Sequence, residues 1–137
     1  MIGIVIVTHS NLGDALIEAT EFIIGQRPEI TVSVSINVNQ NADKMREKIV
    51  AAIKDVDMQA GVLILTDMFG GTPSNLSYSF LEEGHVEVIS GVNLPMLIKA
   101  INSREEMELT QLAVDLEAFG KKSISLASGI LKGNKNK

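Results

Sequence analysis

His9 and Asp67 lie far apart in the chain, yet together they could make a nucleophile that works near neutral pH. A neutral imidazole attacks through the ring nitrogen that lacks the proton, and the hydrogen bond made by the other nitrogen decides which one that is. If Asp67 accepts from Nδ1–H of His9, Nε2 is left free. The carboxylate would also stabilise the cation that forms as Nε2 takes on an electrophile. Asp67 opens the run Asp67-Met68-Phe69-Gly70-Gly71-Thr72-Pro73-Ser74-Asn75. Thr72 is placed to cap a helix, and Pro73 suits its first position, where a missing N–H costs nothing. The glycines allow positive φ or a close approach to the backbone. Free amides at a helix start attract an anion, most often phosphate. A bare carboxylate repels phosphate, so Asp67 is expected to hold the histidine rather than the anion. The phosphoryl oxygens would rest on the turn formed by Gly70, Gly71, Thr72 and Ser74, helped by the Thr72 hydroxyl. There is no Walker lysine and no metal-ligand cluster, so transfer would rest on positioning and electrostatics.

Taken singly, each residue has a plainer reading. His9 could be a surface histidine at a strand end, Asp67 the cap of a Gly-Gly turn, and the rest turn-and-cap chemistry. Whether they converge depends on the elements that carry them. Ile2 to Val7 is almost continuously apolar and β-branched, which suits a strand covered on both faces, and it stops at Thr8-His9. Leu12, Ala15, Leu16, Ala19 and Ile23 then repeat at helical spacing up to Gly25. From Ile30 to Val38 apolar and polar residues alternate strictly, which predicts an edge strand with one wet face. Asn41 opens a helix with the stripe Met45, Ile49, Ile53 and Val56. Gly61 to Leu65 is a third strand, again dry on both faces, and it runs into Asp67. A helix with Leu76 and Phe80 follows, then a strand over His85–Ser90, the turn Gly91-Val92-Asn93-Leu94-Pro95, and a helix with Met96, Leu97, Ala100 and Ile101. Leu109 to Phe119 predicts a further helix closed by Gly120, and Ser123–Leu126 a last short strand.

This order predicts an α/β fold: a doubly wound, mainly parallel sheet of order 2-1-3-4, helices on both faces, and a short C-terminal strand. Ligands in such sheets bind beyond the carboxyl ends of the strands at the switch point, here between strands 1 and 3. Those strands end at His9 and Asp67, so both should meet on one lip. His85 falls at the start of strand 4, on the opposite edge, and reads as structural. Gly91–Pro95 could equally be a site wall or a plain turn. Met68 and Phe69 are large apolar residues in a polar loop, and are expected to be exposed enough to touch a partner protein.

The 137 residues fit one domain, taken as 1–128, with 129–137 as a disordered tail. With 12 Lys and Arg against 17 Asp and Glu, the net charge of −5 argues against nucleic-acid binding, which needs cations against phosphate. No cysteine is present, which removes disulfide and thiolate chemistry. The N-terminal apolar run lacks a basic flank and is too short to span a bilayer, so a cytoplasmic protein is expected.

Three segments carry a family resemblance: Ile4-Val5-Ile6-Val7-Thr8-His9, the run Thr66–Asn75, and Ile89-Ser90-Gly91-Val92-Asn93-Leu94-Pro95-Met96-Leu97. With these at this spacing, the chain resembles the IIA domain of the mannose-type (mannose/fructose/sorbose) sugar phosphotransferase system over about Met1 to Ser128. The resemblance implies that His9 is phosphorylated at Nε2, that Asp67 is its hydrogen-bonded partner, and that Thr72 supplies a small hydroxyl near the phosphoryl group. It implies a phosphoryl donor, the histidine-containing phosphocarrier protein, and an acceptor, a IIB component, expected on a separate chain. It implies contact with the membrane only indirectly, through IIC and IID subunits. A homodimer is implied, in some members with an exchanged C-terminal strand, for which Ser123–Leu126 is the candidate. No cofactor is implied. Ser10-Asn11-Leu12-Gly13 is also met in the phosphotransfer subunit of phosphoenolpyruvate-dependent dihydroxyacetone kinase. A regulatory phosphoprotein using the same His9, and a non-catalytic anion-binding domain, are the other readings.

Overall fold

The computed structural model describes residues 1–37 and 39–136, the last three by backbone only. The order along the chain is β1 (Gly3–His9), α1 (Leu12–Ile24), β2 (Thr31–Ile36), α2 (Ala42–Val56), β3 (Val62–Thr66), α3 (Thr72–Tyr78), β4 (Val86–Ser90), α4 (Leu94–Ser103), α5 (Leu109–Lys122) and α6 (Ala127–Asn136). The strands form one parallel sheet in the order β2-β1-β3-β4. This is the predicted α/β fold and strand order. Val38, the expected last residue of the alternating strand, lies outside the described residues.

The sheet divides the core in two. Ile4 and Ile6 point to one face, with Ile17 of α1, Leu97 of α4 and Leu112 and Leu116 of α5. Val5 and Val7 point to the other, with Met45, Ile49 and Val56 of α2. Each fully buried Ile or Leu contributes about 1.5–3 kcal/mol, so the continuous apolar runs of β1 and β3 drive them to the centre. Gly3 is needed where α2 ends against β1: a Cβ there would lie 2.2 Å from the Val56 carbonyl oxygen. Among the described residues, no helix is long and apolar enough to cross a membrane.

The wet face of β2 is only partly wet. Ser33 is half-buried beneath α1 and hydrogen-bonds to Asp14. Thr31 is buried and accepts from the Arg104 guanidinium at 3.1 Å. The alternation therefore marks an edge strand two of whose polar side chains, Thr31 and Ser33, are drawn in and hydrogen-bonded.

Four local expectations need correction. The N-cap of α3 is Gly71, so Thr72 is the first helical residue and Pro73 the second. Gly120 does not end α5, which runs on to Lys122. Gly120 is instead a point of close packing, where a Cβ would meet Met96 Cε at 2.5 Å. Ser123–Leu126 forms no strand, since none of the described residues pairs with it, and Ile124 and Leu126 are exposed. The segment 129–137, expected to be disordered, belongs to α6 as far as Asn136; Lys137 lies outside the described residues.

Candidate functional site

The parallel register sets the site. β1 and β3 pair from Gly3↔Val62 to Val7↔Thr66, so the residues following these pairs emerge side by side at the carboxyl end of the sheet. His9 Nδ1 lies 2.8 Å from Asp67 Oδ2. The same oxygen accepts the His9 backbone N–H at 3.0 Å. Asp67 Oδ1 accepts the backbone N–H of Met68 at 3.1 Å. The carboxylate is thus an acceptor on both oxygens, which assigns the proton between ring and carboxylate to Nδ1 and leaves the Nε2 lone pair free.

Partial burial pushes the Asp67 carboxyl up, but the hydrogen bonds from the His9 ring and backbone, together with the attraction of the ring, outweigh it. The net effect is a carboxyl that titrates below its ordinary value, and hence one ionised at neutral pH. The side chain of His9 is 46% exposed and that of Asp67 12%, so the ring is open to a protein-borne group while its partner is sheltered.

The two loop glycines divide the reasons for being glycine. Gly70 has φ +90° with open space around it, so its role is conformational. Gly71 has φ −91°, which any residue adopts, but a Cβ there would stand 2.7 Å from His9 Cε1 and 3.1 Å from Nε2. The backbone of Gly71 therefore lies against the free edge of the imidazole. Thr72 follows it, exposed at the start of α3. Ser74 is buried, and its hydroxyl closes the turn by accepting from the Gly70 N–H and donating to the Gly71 carbonyl, both at 3.0 Å. Gly70 and Ser74 thus hold the turn, and of the four it is Gly71 whose backbone lies beside the ring.

Other residues shape the site without having stood out in the sequence. Thr8, fully buried, accepts the Gly13 N–H at 2.9 Å and so pins α1 to the end of β1. Ser10 has φ +52°, a left-handed turn directly after the histidine that costs a non-glycine residue roughly 1–2 kcal/mol. Thr66, Ser90 and Tyr78 form a chain of hydroxyls beside the loop, with oxygens 2.7 and 2.8 Å apart. Single Ser, Thr and Tyr residues at strand and helix ends carry no periodic signal that could have revealed this.

The remaining expectations fall elsewhere. Met68 and Phe69 are exposed on the loop tip, as anticipated. His85 is at the opposite pole, paired with Asp57 at 3.2 Å. Asn93 caps α4 by accepting from Met96 N–H and also donates to the Gly120 carbonyl, so it fixes α5 against α4. Gly91 and Asn93 line a groove of about 570 Å³ on the outer side of β4. Among the described residues, no group of three or more His, Cys, Asp or Glu is gathered to hold a metal ion.

Fold and site together define a doubly wound α/β domain that presents a carboxylate-held histidine, with its Nε2 free, at the switch point of the sheet. The profile of the family described as "PTS system fructose IIA component" matches residues 3–116. The chain is 33% identical over 129 residues to a fructose-specific EIIA component from Bacillus subtilis, covering 93% of this chain and 88% of that one. It is 34% identical over 128 residues to a mannose-specific EIIAB component from Escherichia coli, covering 90% of this chain but only 39% of that longer protein. A crystal structure of a phosphotransferase system EIIA from Streptococcus agalactiae superposes with a TM-score of 0.81 at 31% identity, covering 93% of this chain and 98% of that one. The chain belongs to the mannose-type EIIA family of the sugar phosphotransferase system, and is a phosphotransferase component of that system.

Proposed function

We propose that His9 carries the phosphoryl group, taking it at Nε2 from the histidine-containing phosphocarrier protein and passing it to a IIB component during sugar uptake. The observation that carries this reading is the bracketed imidazole: Asp67 on Nδ1 at 2.8 Å, and the Gly71 backbone on the Nε2 side. In the forward step the Nε2 lone pair forms a bond to phosphorus while the phosphorus–nitrogen bond of the donor breaks, and the donor imidazole leaves with that electron pair. The proton on Nδ1 stays in place. The ring becomes cationic, and the ionised Asp67 stabilises it through a charge-assisted hydrogen bond worth about 1.5–3 kcal/mol. The backbone amides of Gly71 and Thr72 and the exposed Thr72 hydroxyl receive the phosphoryl oxygens, while Gly70 and Ser74 keep the turn in shape. Transfer to the IIB component is the same exchange with the roles reversed.

Exposed Met68 and Phe69, directly after Asp67 in the loop, give the two partner proteins an apolar rim to settle on. The protein acts as a homodimer. Ile124, Leu126, Ile130 and Leu131, all exposed along the C-terminal arm, support this, because a second copy would bury them. Light scattering at micromolar concentration reads the oligomeric state directly.

Intact-protein mass spectrometry tests the chemistry. The chain is incubated with phosphoenolpyruvate, enzyme I and the phosphocarrier protein, beside a His9→Gln control. One acid-labile phosphoryl group on the wild type alone is expected. No gain, with both upstream proteins active, would end the carrier reading.

A further inference from the structure

We propose that Tyr78, acting through Ser90, is a positioning residue for the His9–Asp67 pair. This role rests on the reading of His9 as the phosphoryl carrier. Asp67 is the first residue beyond β3, and its predecessor Thr66 is fully buried and tied in two ways to the end of β4 and the turn after it. The Thr66 carbonyl accepts the N–H groups of Gly91 and Val92, both at 3.0 Å. Its hydroxyl donates to Ser90 Oγ at 2.7 Å. On the far side of the loop, α3 carries Tyr78, whose hydroxyl lies 2.8 Å from the same Ser90 Oγ. Both ends of the segment between Thr66 and Tyr78 are therefore pinned to one hydroxyl on β4.

That segment holds the two groups that bracket the imidazole, Asp67 at Nδ1 and Gly71 at the Nε2 edge. The bonds between Gly70, Ser74 and Gly71 are local, and they fix the shape of the turn but not its place on the sheet. Leu76 packs α3 against the core, but apolar packing is non-directional. Arg46 of α2 donates to Ser79 at the end of α3, and the hydroxyl chain adds the directional tie between α3 and β4. The Tyr78 ring also supports the loop tip, with its centroid 6.2 Å from that of Phe69 in a tilted arrangement. Loss of one hydroxyl leaves the ring, the helix and the strand in place, and loosens only the register of Asp67 and Gly71 against His9.

The test is nitrogen-resolved NMR of the His9 ring in the full-length protein, comparing wild type with Tyr78→Phe, Ser90→Ala and Ser90→Thr. The wild type is expected to show the Nδ1–H form. Tyr78→Phe and Ser90→Ala should each shift the tautomer ratio toward Nε2–H by about fivefold, the value of one ordinary hydrogen bond. Ser90→Thr keeps the hydroxyl and should restore the wild-type signals. Ring signals in Tyr78→Phe and Ser90→Ala identical to wild type would overturn the proposal, as would a shift in Ser90→Ala that Ser90→Thr fails to reverse. The phosphoryl-transfer assay runs in parallel. If the wild type takes up no phosphoryl group while its ring signals still respond to both variants, the positioning holds and the carrier reading falls.

Discussion

Gly71 stands so close to His9 that a single added methyl would occupy the edge of the imidazole, 2.7 Å from Cε1 and 3.1 Å from Nε2. Asp67 holds the opposite side of the same ring at 2.8 Å. The ring is thus confined between a carboxylate and a backbone segment that belong to one loop, so the geometry of that loop sets the position of the ring and which of its nitrogens is free.

Gly71→Ala and Gly70→Ala should therefore fail differently. At Gly71, φ is −91° and alanine is free of backbone strain, so folding stability should stay within about 0.5 kcal/mol of wild type. The ring must move off its partner, and phosphorylation should slow by at least about tenfold, the equivalent of roughly 1.4 kcal/mol. At Gly70, φ is +90° with nothing crowding the site, so alanine should cost about 1–2 kcal/mol of stability through strain. Urea unfolding and single-turnover phosphorylation, run on both variants, separate the two effects. Equal losses of stability would refute the division.

Asp67→Asn removes the charge but keeps an acceptor near Nδ1. A neutral hydrogen bond in place of a charge-assisted one should lower the stabilisation of the phosphorylated, cationic ring by about 1–1.5 kcal/mol, which is about 5–12-fold in transfer rate. His9 stays exposed and the fold intact. A rapid-quench rate equal to wild type would remove Asp67 from the mechanism.

The depressed titration of Asp67 has a definite pH consequence. Its folded-state pKa lies below the ordinary 3.8, so its contribution to stability is fully present above 3.8 and is lost as pH falls through the lower folded value. The part of the stability difference between wild type and Asp67→Asn that comes from this carboxyl should shrink as pH falls through that lower value. A carboxyl-carbon NMR titration of Asp67 with a midpoint above 3.8 would contradict this.

Arg104 is the strongest test of the fold's far pole. It is 3% exposed, and its guanidinium donates to the carbonyls of Ile2, Glu29 and Ile30 and to Thr31 Oγ1, tying α4 to the starts of β1 and β2. Arg104→Met should cost about 2–4 kcal/mol, because the buried carbonyls lose their donors. His9 lies at the other end of the sheet, so phosphorylation at 25 °C should be retained by the folded fraction. A loss under 1 kcal/mol in chemical denaturation would show that these carbonyls find other donors.

Much of this protein was fixed by its sequence through two simple periodicities. The dry runs Ile2–Val7 and Gly61–Leu65 could only be central strands, and the alternating run after Ile30 only an edge, so the order β2-β1-β3-β4 followed. Because β1 and β3 are parallel neighbours, the residues at their carboxyl ends had to meet, and His9 and Asp67 did. What the sequence could not reveal depends on contacts between distant residues. Thr72 looked like the cap of α3, but the path of the loop made it Gly71. Gly120 looked like a helix stop, but α4 brings Met96 against it. Ser123–Leu126 has a strand's alternation, yet a strand exists only where another backbone supplies its hydrogen bonds, and among the described residues none does. The division of labour between Gly70 and Gly71, and the meeting of Tyr78, Ser90 and Thr66, were likewise decided by tertiary structure. Periodicity places a residue on an element and a face, whereas the partner of a polar group is set by which elements pack together.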